Sequence, residues 1–434
     1  MKNSTSKSMM AQMKDLWNLN RSICGPGLRN SILYFKNMHP ELNVMEIETG
    51  SDLGGGWVVP KEWELHECYI EDMKSKKRFA MSTKSNLHAV NYSTSFEGVL
   101  SWNELAPHIH TIPNIPDAIP YITSYYREAW GICIEHKEIE ELSQSQKLRV
   151  TIKTTHKPGH MTLADCVMEG ESSREIMFSS YLCHPQLANN ELSGPIVLSE
   201  VMQRIKARAY RRFSYRFILG PETLGAIAYI HINGKEMKEK TAAGFVLSCV
   251  GDGRAHSCIH TPESNTLADL MIEAALIGKR NAKKYDYKER GSDERHYSSA
   301  GLELPVVGYC RSKYGTYQEY HTSHDDMTIV SESDMQESAE TLIAIVDALE
   351  LCSLPRTTIN GEPFLSKFGL YDTNGHQGEL EEDVRYRMDI LAYSNGIRSI
   401  FEICTRCGIP LRSAINECLR LSDLGLLQLD IVEI

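Results

Sequence analysis

Four apolar runs in this chain each lead into a side chain that can hold a metal ion or move a proton. IMFSSYLCHP reaches His184, RFILGPETLG reaches Glu222, GFVLSCVGDG reaches Asp252, and the segment after LPVVGYC reaches His321 in EYHTSHDD. Two imidazoles with one or two carboxylates meet the nitrogen and oxygen preferences of zinc and leave a position open for water. Zinc lowers the pKa of such a water toward about 7, and a neighbouring carboxylate can take its proton as it attacks an amide carbonyl. Each residue alone has a plainer explanation. A single histidine after a strand is usually a satisfied polar group, Glu222 in PETLG is a favourable acid where a helix begins, and Asp252 between glycines is a turn former. The signal is their coincidence at consecutive strand ends.

Two further groups stand near these ends. In GSDER, Asp293 and Arg295 suit a substrate's amino group and carboxylate respectively, with a solvated turn as the alternative. His324 is a second histidine beside His321, and a helix N-cap accounts for Asp325 and Asp326. His108, His110, His156 and His160 lack carboxylate partners at strand ends and read as loop histidines.

The elements that must position these groups come from texture. Residues 175–352 alternate short apolar runs with helical periodicity, which predicts an α/β fold with a mostly parallel sheet and chemistry at the strands' carboxyl ends. The first fifty residues look helical. Residues 57–160 hold short β-rich runs broken by Pro and Gly. If the N-terminal residues pack on the α/β unit, this stretch is an insertion, giving 1–56 with 161–355, an inserted 57–160, and a third unit at 379–434. That third unit reads as helix, turn, helix and a small β-wing in DLGLLQLDIVEI, which suggests a winged helix-turn-helix. Its acidic residues outnumber its arginines, so packing or dimerisation is favoured over nucleic acid.

Composition agrees. A net charge of -11 over 434 residues argues against general polyanion binding. The N-terminus carries neither a secretory pattern nor a spanning segment, so the expectation is a cytoplasmic protein without membrane contact, with a homo-oligomer open. The twelve cysteines stand mostly alone among apolar neighbours and read as reduced, buried thiols, and Cys404-Thr-Arg-Cys407 reads as coincidence.

Together, TGSDLGGGWVVPKEW, IPYITSYYREAWGIC, CHPQLANNELSGP, PETLG, GSDER and EYHTSHDD resemble the co-catalytic zinc aminopeptidases and glutaminyl cyclases. They resemble more closely a bacterial set of aminopeptidase-like proteins. The resemblance implies an α/β/α aminopeptidase-like domain with a β-rich insertion and a C-terminal winged helix. It implies His184, Asp252 and His321 as metal ligands, with the oxygen of Asn190 as a further candidate, and Glu222 as base or further ligand. Aligned on Ser193-Gly194, Asn190 stands where active members carry a bridging aspartate, and Glu222 follows Pro221 where they carry a second glutamate. One zinc is therefore expected rather than two. Glu191, one residue from the bridging position, is expected to point elsewhere. The leading expectation is a zinc-dependent hydrolase cleaving a peptide or aminoacyl amide near a free amino group. The alternative is a ligand-binding or scaffold protein that kept the fold and lost turnover.

Overall fold

The computed structural model describes residues 7–371 and 381–431. Its centre is an eight-stranded mixed sheet in the spatial order Asn43–Glu48, His160–Met168, Ser214–Gly220, Glu175–Tyr181, Thr241–Leu247, Val306–Cys310, His256–Ile259, Ala282–Tyr285. The four strands from Ser214–Gly220 to Val306–Cys310 run parallel. Every residue in them is buried, because helices and loops cover both faces. Charge inside these strands is paired: Arg216 Nε meets Glu175 Oε2 at 2.6 Å across adjacent strands.

Strand order reverses between Glu175–Tyr181 and Thr241–Leu247, since one continues outward to Ser214–Gly220 and the other to Val306–Cys310. Such a switch point opens a crevice at the carboxyl ends. The helix Ser193–Lys206 starts beside it, and Gly194 explains how closely: a Cβ there would collide with Ser180 Oγ and the Leu247 carbonyl.

The N-terminal helices Met9–Trp17 and Pro26–Met38 pack into the same core as the central strands. Residues 57–160 thus stand largely between two pieces of one core. Two details differ from the sequence reading. Asn43–Glu48, within the supposedly helical first fifty residues, is an edge strand, and its partner begins at His160. The inserted body has its own antiparallel sheet, Arg78–Phe79, Glu62–Asp72, Leu148–Lys157, Phe96–Leu100, over a separate apolar cluster including Ile70, Ile132 and Val150. His156 and His160 lie on strands rather than loops, and His108 stacks on Trp130.

The C-terminal unit has helices Glu382–Tyr393, Ile400–Cys407 and Leu411–Asp423. Its wing differs from the sequence reading, because Leu427–Asp430 pairs with Leu354–Thr357, a strand that precedes the helices. The connecting YDTNGHQGE, from residue 372 on, and residues 432–434 of the expected wing lie outside the described residues. Ile400–Cys407 packs on Leu267–Leu276 and Leu411–Asp423 on Glu332–Cys352, in one continuous core with the α/β domain. Arg412 is held by Asp347 at 2.5 Å. Among the described residues no helix is long and apolar enough to cross a membrane. All twelve cysteines are free, eleven of them buried.

Candidate active site

His184 leaves the sheet immediately beyond Glu175–Tyr181, with the Leu182 N–H still donating to the Gly220 carbonyl. The chain then turns sharply at Gln186, whose φ is 45° and whose side-chain oxygen accepts from Ser85 and Asn86 of the insertion. Ala188–Leu192 forms a single π-turn, a widened form recurrent at functional sites. Its free N–H groups are capped from another loop. Asp325 accepts from the backbone of Ala188, Asn189 and Asn190 at 3.1, 2.6 and 3.0 Å, and from the Tyr317 hydroxyl at 2.9 Å. Asp325 is therefore a cap, as the sequence suggested, but for a segment far away in the chain. Burial pushes its carboxyl up to about 6 despite these donors.

The extra residue in the π-turn decides where Glu191 goes. Contrary to the sequence expectation, it turns toward His184: Oε2 lies 2.7 Å from Nδ1, and Oε1 accepts from the backbone N–H groups of His184, at 2.9 Å, and Cys183. Behind it the fully buried Arg21 lies 3.9 Å away and donates to the His184 carbonyl at 2.9 Å. A carboxylate at Nδ1 requires that nitrogen to donate, which leaves Nε2 as the free face of the ring. Burial alone would lower the His184 pKa; the neighbouring Cys183 and Glu191 more than offset it and hold it well above 6.5. Burial drives the Cys183 thiol itself up to about 11, so Glu191 supplies the charge.

Glu222 stands on the next strand end, with Oε2 3.7 Å from His184 Nε2 and Oε1 accepting from the Ser292 hydroxyl at 2.9 Å. Its side chain is 23% exposed, toward the cavity. Burial raises its carboxyl above the usual range against the opposing pull of His184, which favours a group that accepts a proton. Thr223 follows with a positive φ of 65°, a strained backbone position directly beside Glu222. Asp293 Oδ1 accepts from the Thr223 N–H at 2.7 Å, and Arg295 Nη2 donates to its hydroxyl at 2.9 Å.

His321 comes from the loop after Val306–Cys310 and has a φ of 56°. Its ring centroid is 5.4 Å from that of His184, and Tyr121 of the insertion touches both rings at 4.7 and 5.2 Å. Burial, then the His184 charge, lowers its pKa to about 3, so the ring is neutral. Its Nε2 is buried without a hydrogen-bond partner, as is Asn190 Oδ1.

The structure thus brings together His184, Glu222 and His321 around a cavity of about 400 Å³ that Arg295, Tyr125 and Trp57 also line. Asp252 corrects the sequence reading. Its oxygens accept from Asn189 Nδ2 at 2.9 Å, Arg254 N–H at 3.0 Å, Ser312 N–H at 3.0 Å and Ser312 Oγ at 2.8 Å. With four donors on two oxygens it acts as a brace, and it does not line this cavity. Asp293 also braces rather than lines, and burial beside Glu222 raises its carboxyl well above the usual range, a poor partner for an ammonium group. His324 faces Asp117 at 3.6 Å and stays outside the group.

The donor set fits zinc by type: two imidazole nitrogens, one lacking any partner, with a carboxylate oxygen facing the other. A tighter group exists among the described residues, since Cys183, His184 and Glu191 offer ligand atoms within 4.8 Å of one another. Those atoms already bond to each other, and the thiol is neutral, so the free Nε2 side is the better ion site. Sequence reasoning named Glu191 but directed it elsewhere, and it missed Arg21, Tyr121 and Tyr125. Only the tyrosines left a trace, in IPYITSYYREAW.

A family model described as a domain of unknown function, DUF4910, matches residues 10–351, and a winged helix-turn-helix model matches 353–429. A Clostridium acetobutylicum protein, provisionally described as a polysaccharide biosynthesis protein with an aminopeptidase-like domain, is 31% identical over 406 residues, covering 92% of this chain and 91% of its own. A crystal structure of a provisionally assigned peptidase from the same species superposes with a TM-score of 0.85 at 28% identity, covering 97% and 96% of the two chains. A zinc aminopeptidase from Bacillus subtilis gives a TM-score of 0.55 at 14% identity over 78% and 94%, a likeness of fold.

Proposed function

Because the chain belongs to the DUF4910 family and has an aminopeptidase-like fold ahead of a winged helix, we propose that it is a metal-dependent hydrolase cleaving an amide near a free amino group. The observation that carries this reading is the free Nε2 of His184, held by Glu191 and directed toward Glu222 and His321. His184 and His321 would hold one zinc ion, with Glu222 as the carboxylate in reach and Asn190 Oδ1 as a further oxygen. When bound, zinc supplies a Lewis acid for the amide carbonyl and lowers the pKa of water.

The chain's own residues supply the rest. Glu191 fixes the His184 ring with Nδ1 as donor, so metal binding would displace only the Nε2 proton and need no turn of the ring. Glu222 takes a proton at Oε2 while Ser292 holds Oε1 in place. Tyr121, Tyr125 and Trp57 enclose the cavity and exclude water from the apolar part of a substrate. Arg295 is the cation at its wall, suited to a substrate carboxylate.

A second reading, a binding protein without turnover, is favoured by one observation: Asp252, the third acidic position of the resemblance, has no lone pair to spare. Metal analysis of protein purified without added metal, beside His184→Ala and His321→Ala, tests the first. About one zinc per chain in the parent and none in either variant is expected; substoichiometric metal throughout would end it. Hydrolysis is then assayed on aminoacyl amides and, given the relative's link to polysaccharide biosynthesis, on amide-substituted amino sugars. Stoichiometric zinc with no turnover on either class selects the second reading.

A further inference from the structure

Arg254 and Ser312, two of the partners of Asp252, border a second cavity of about 540 Å³ that shares no lining residue with the first. Arg254, Lys283, Arg311 and Lys313 line it together with Tyr285 and Tyr317, and no acidic side chain does. Two of the cations are fixed from behind. Arg254 is gripped by both oxygens of Glu319 at 2.7 and 2.9 Å, and Arg311 by Asp334 and Glu337 at 3.1 and 3.0 Å. These pairs orient the guanidinium groups and neutralise part of their charge.

The lysines are different. Lys313 is only 9% exposed, and its Nζ lies 4.3 Å from the Tyr314 ring centroid and 5.3 Å from that of Tyr285. Among the described residues neither Lys313 nor Lys283 has a carboxylate within ion-pair distance. Cation–π contact offsets part of the cost of withdrawing an ammonium group from water, but an anion would offset far more. Asn281 and Ser312 add polar groups, although the Ser312 hydroxyl already serves Asp252.

We propose that this cavity binds a phosphate-bearing small molecule. Four cations from separate positions around one cavity suit the several oxygens of a phosphate or pyrophosphate group better than a single carboxylate, which one arginine fork satisfies. The volume exceeds what the anion fills and leaves room for an organic portion against the tyrosines. The site is independent of the proposed hydrolysis and stands or falls without it.

Calorimetric titration of full-length, EDTA-treated protein with inorganic phosphate and pyrophosphate at about 150 mM salt tests the proposal. Removing metal keeps an ion at His184 from capturing the probe. We expect saturable binding, tighter for pyrophosphate, weakened about tenfold or more in Lys313→Met and in Lys283→Glu and unchanged in His321→Ala. Lys283 is exposed, so K283E keeps the test decisive if K313M folds poorly. No saturable binding of either probe up to about 10 mM, equal binding in both lysine variants, or loss in His321→Ala would each overturn the assignment.

Discussion

Two loops leave the sheet side by side at its switch point, and they spend their polar groups in opposite ways. After Glu175–Tyr181, the carboxylate of Glu191 occupies one face of His184 and thereby frees the other. After Thr241–Leu247, the carboxylate of Asp252 meets four donors and has nothing left for a ligand. Both acids are buried and both are tied to the π-turn, Glu191 as part of it and Asp252 through Asn189. A buried carboxylate must be satisfied. What distinguishes a site from a strut is whether satisfying it leaves a neighbouring donor atom open.

The comparison can be broken most directly at the open face. Glu222→Gln removes the proton acceptor while keeping shape and should lower hydrolysis about 10²–10⁴-fold in steady-state assays, with zinc retained. An unchanged rate would move the base elsewhere. Next comes the support of that face. Glu191→Gln leaves Arg21 buried without its counter-charge and loosens the His184 ring. It should cost about 3 kcal/mol in denaturant unfolding and weaken zinc about 10–100-fold in competition with a chelator. The matching change on the other loop, Asp252→Asn, should cost about 1–3 kcal/mol yet leave metal content as in the parent. Zinc loss from a folded Asp252→Asn protein would return that residue to the ligand set.

The two imidazoles sharpen the contrast by titration. In metal-free protein, His184 has a raised native pKa. Its charged form therefore contributes stability fully below about 6.5, and the contribution is lost as pH rises through that raised value. His321, lowered to about 3, works the other way. Between pH 6.5 and about 3 the unfolded chain binds a proton that the native ring refuses, so stability falls as pH falls. Imidazole NMR should find His184 protonated at pH 7 and His321 neutral at pH 5; the reverse pattern would contradict the arrangement around Glu191. The smallest effect is expected at the winged helix, where Arg412→Ala breaks a half-exposed ion pair with Asp347 and should cost at most about 1 kcal/mol.

His184, Glu222 and His321 were legible in the sequence because each follows an apolar run, and strand ends are where an α/β sheet exposes its side chains. Glu191 was not, because regular helix or strand periodicity directs it away and nothing in ANNEL announces a π-turn. Asp252 misled for a related reason. Its position at a strand end is that of a ligand, but its donors come from Asn189, Arg254 and Ser312, whose approach no local pattern encodes. The wing strand Leu354–Thr357 was hidden as well, since its partner lies beyond three helices.

The sequence by itself determined the alternation of elements, the strand ends at which His184 and Glu222 stand, the small β-rich body and the C-terminal winged helix. These depend on local periodicity and composition, which act over a few neighbouring residues. Only the tertiary structure decided which polar atoms remain unspent. Hydrogen-bond satisfaction is settled by groups distant in the chain: Asp325 capping Ala188–Asn190, Arg21 behind Glu191, Tyr121 against both histidines. Whether a carboxylate becomes a ligand or a brace depends on which of these distant donors reach it first.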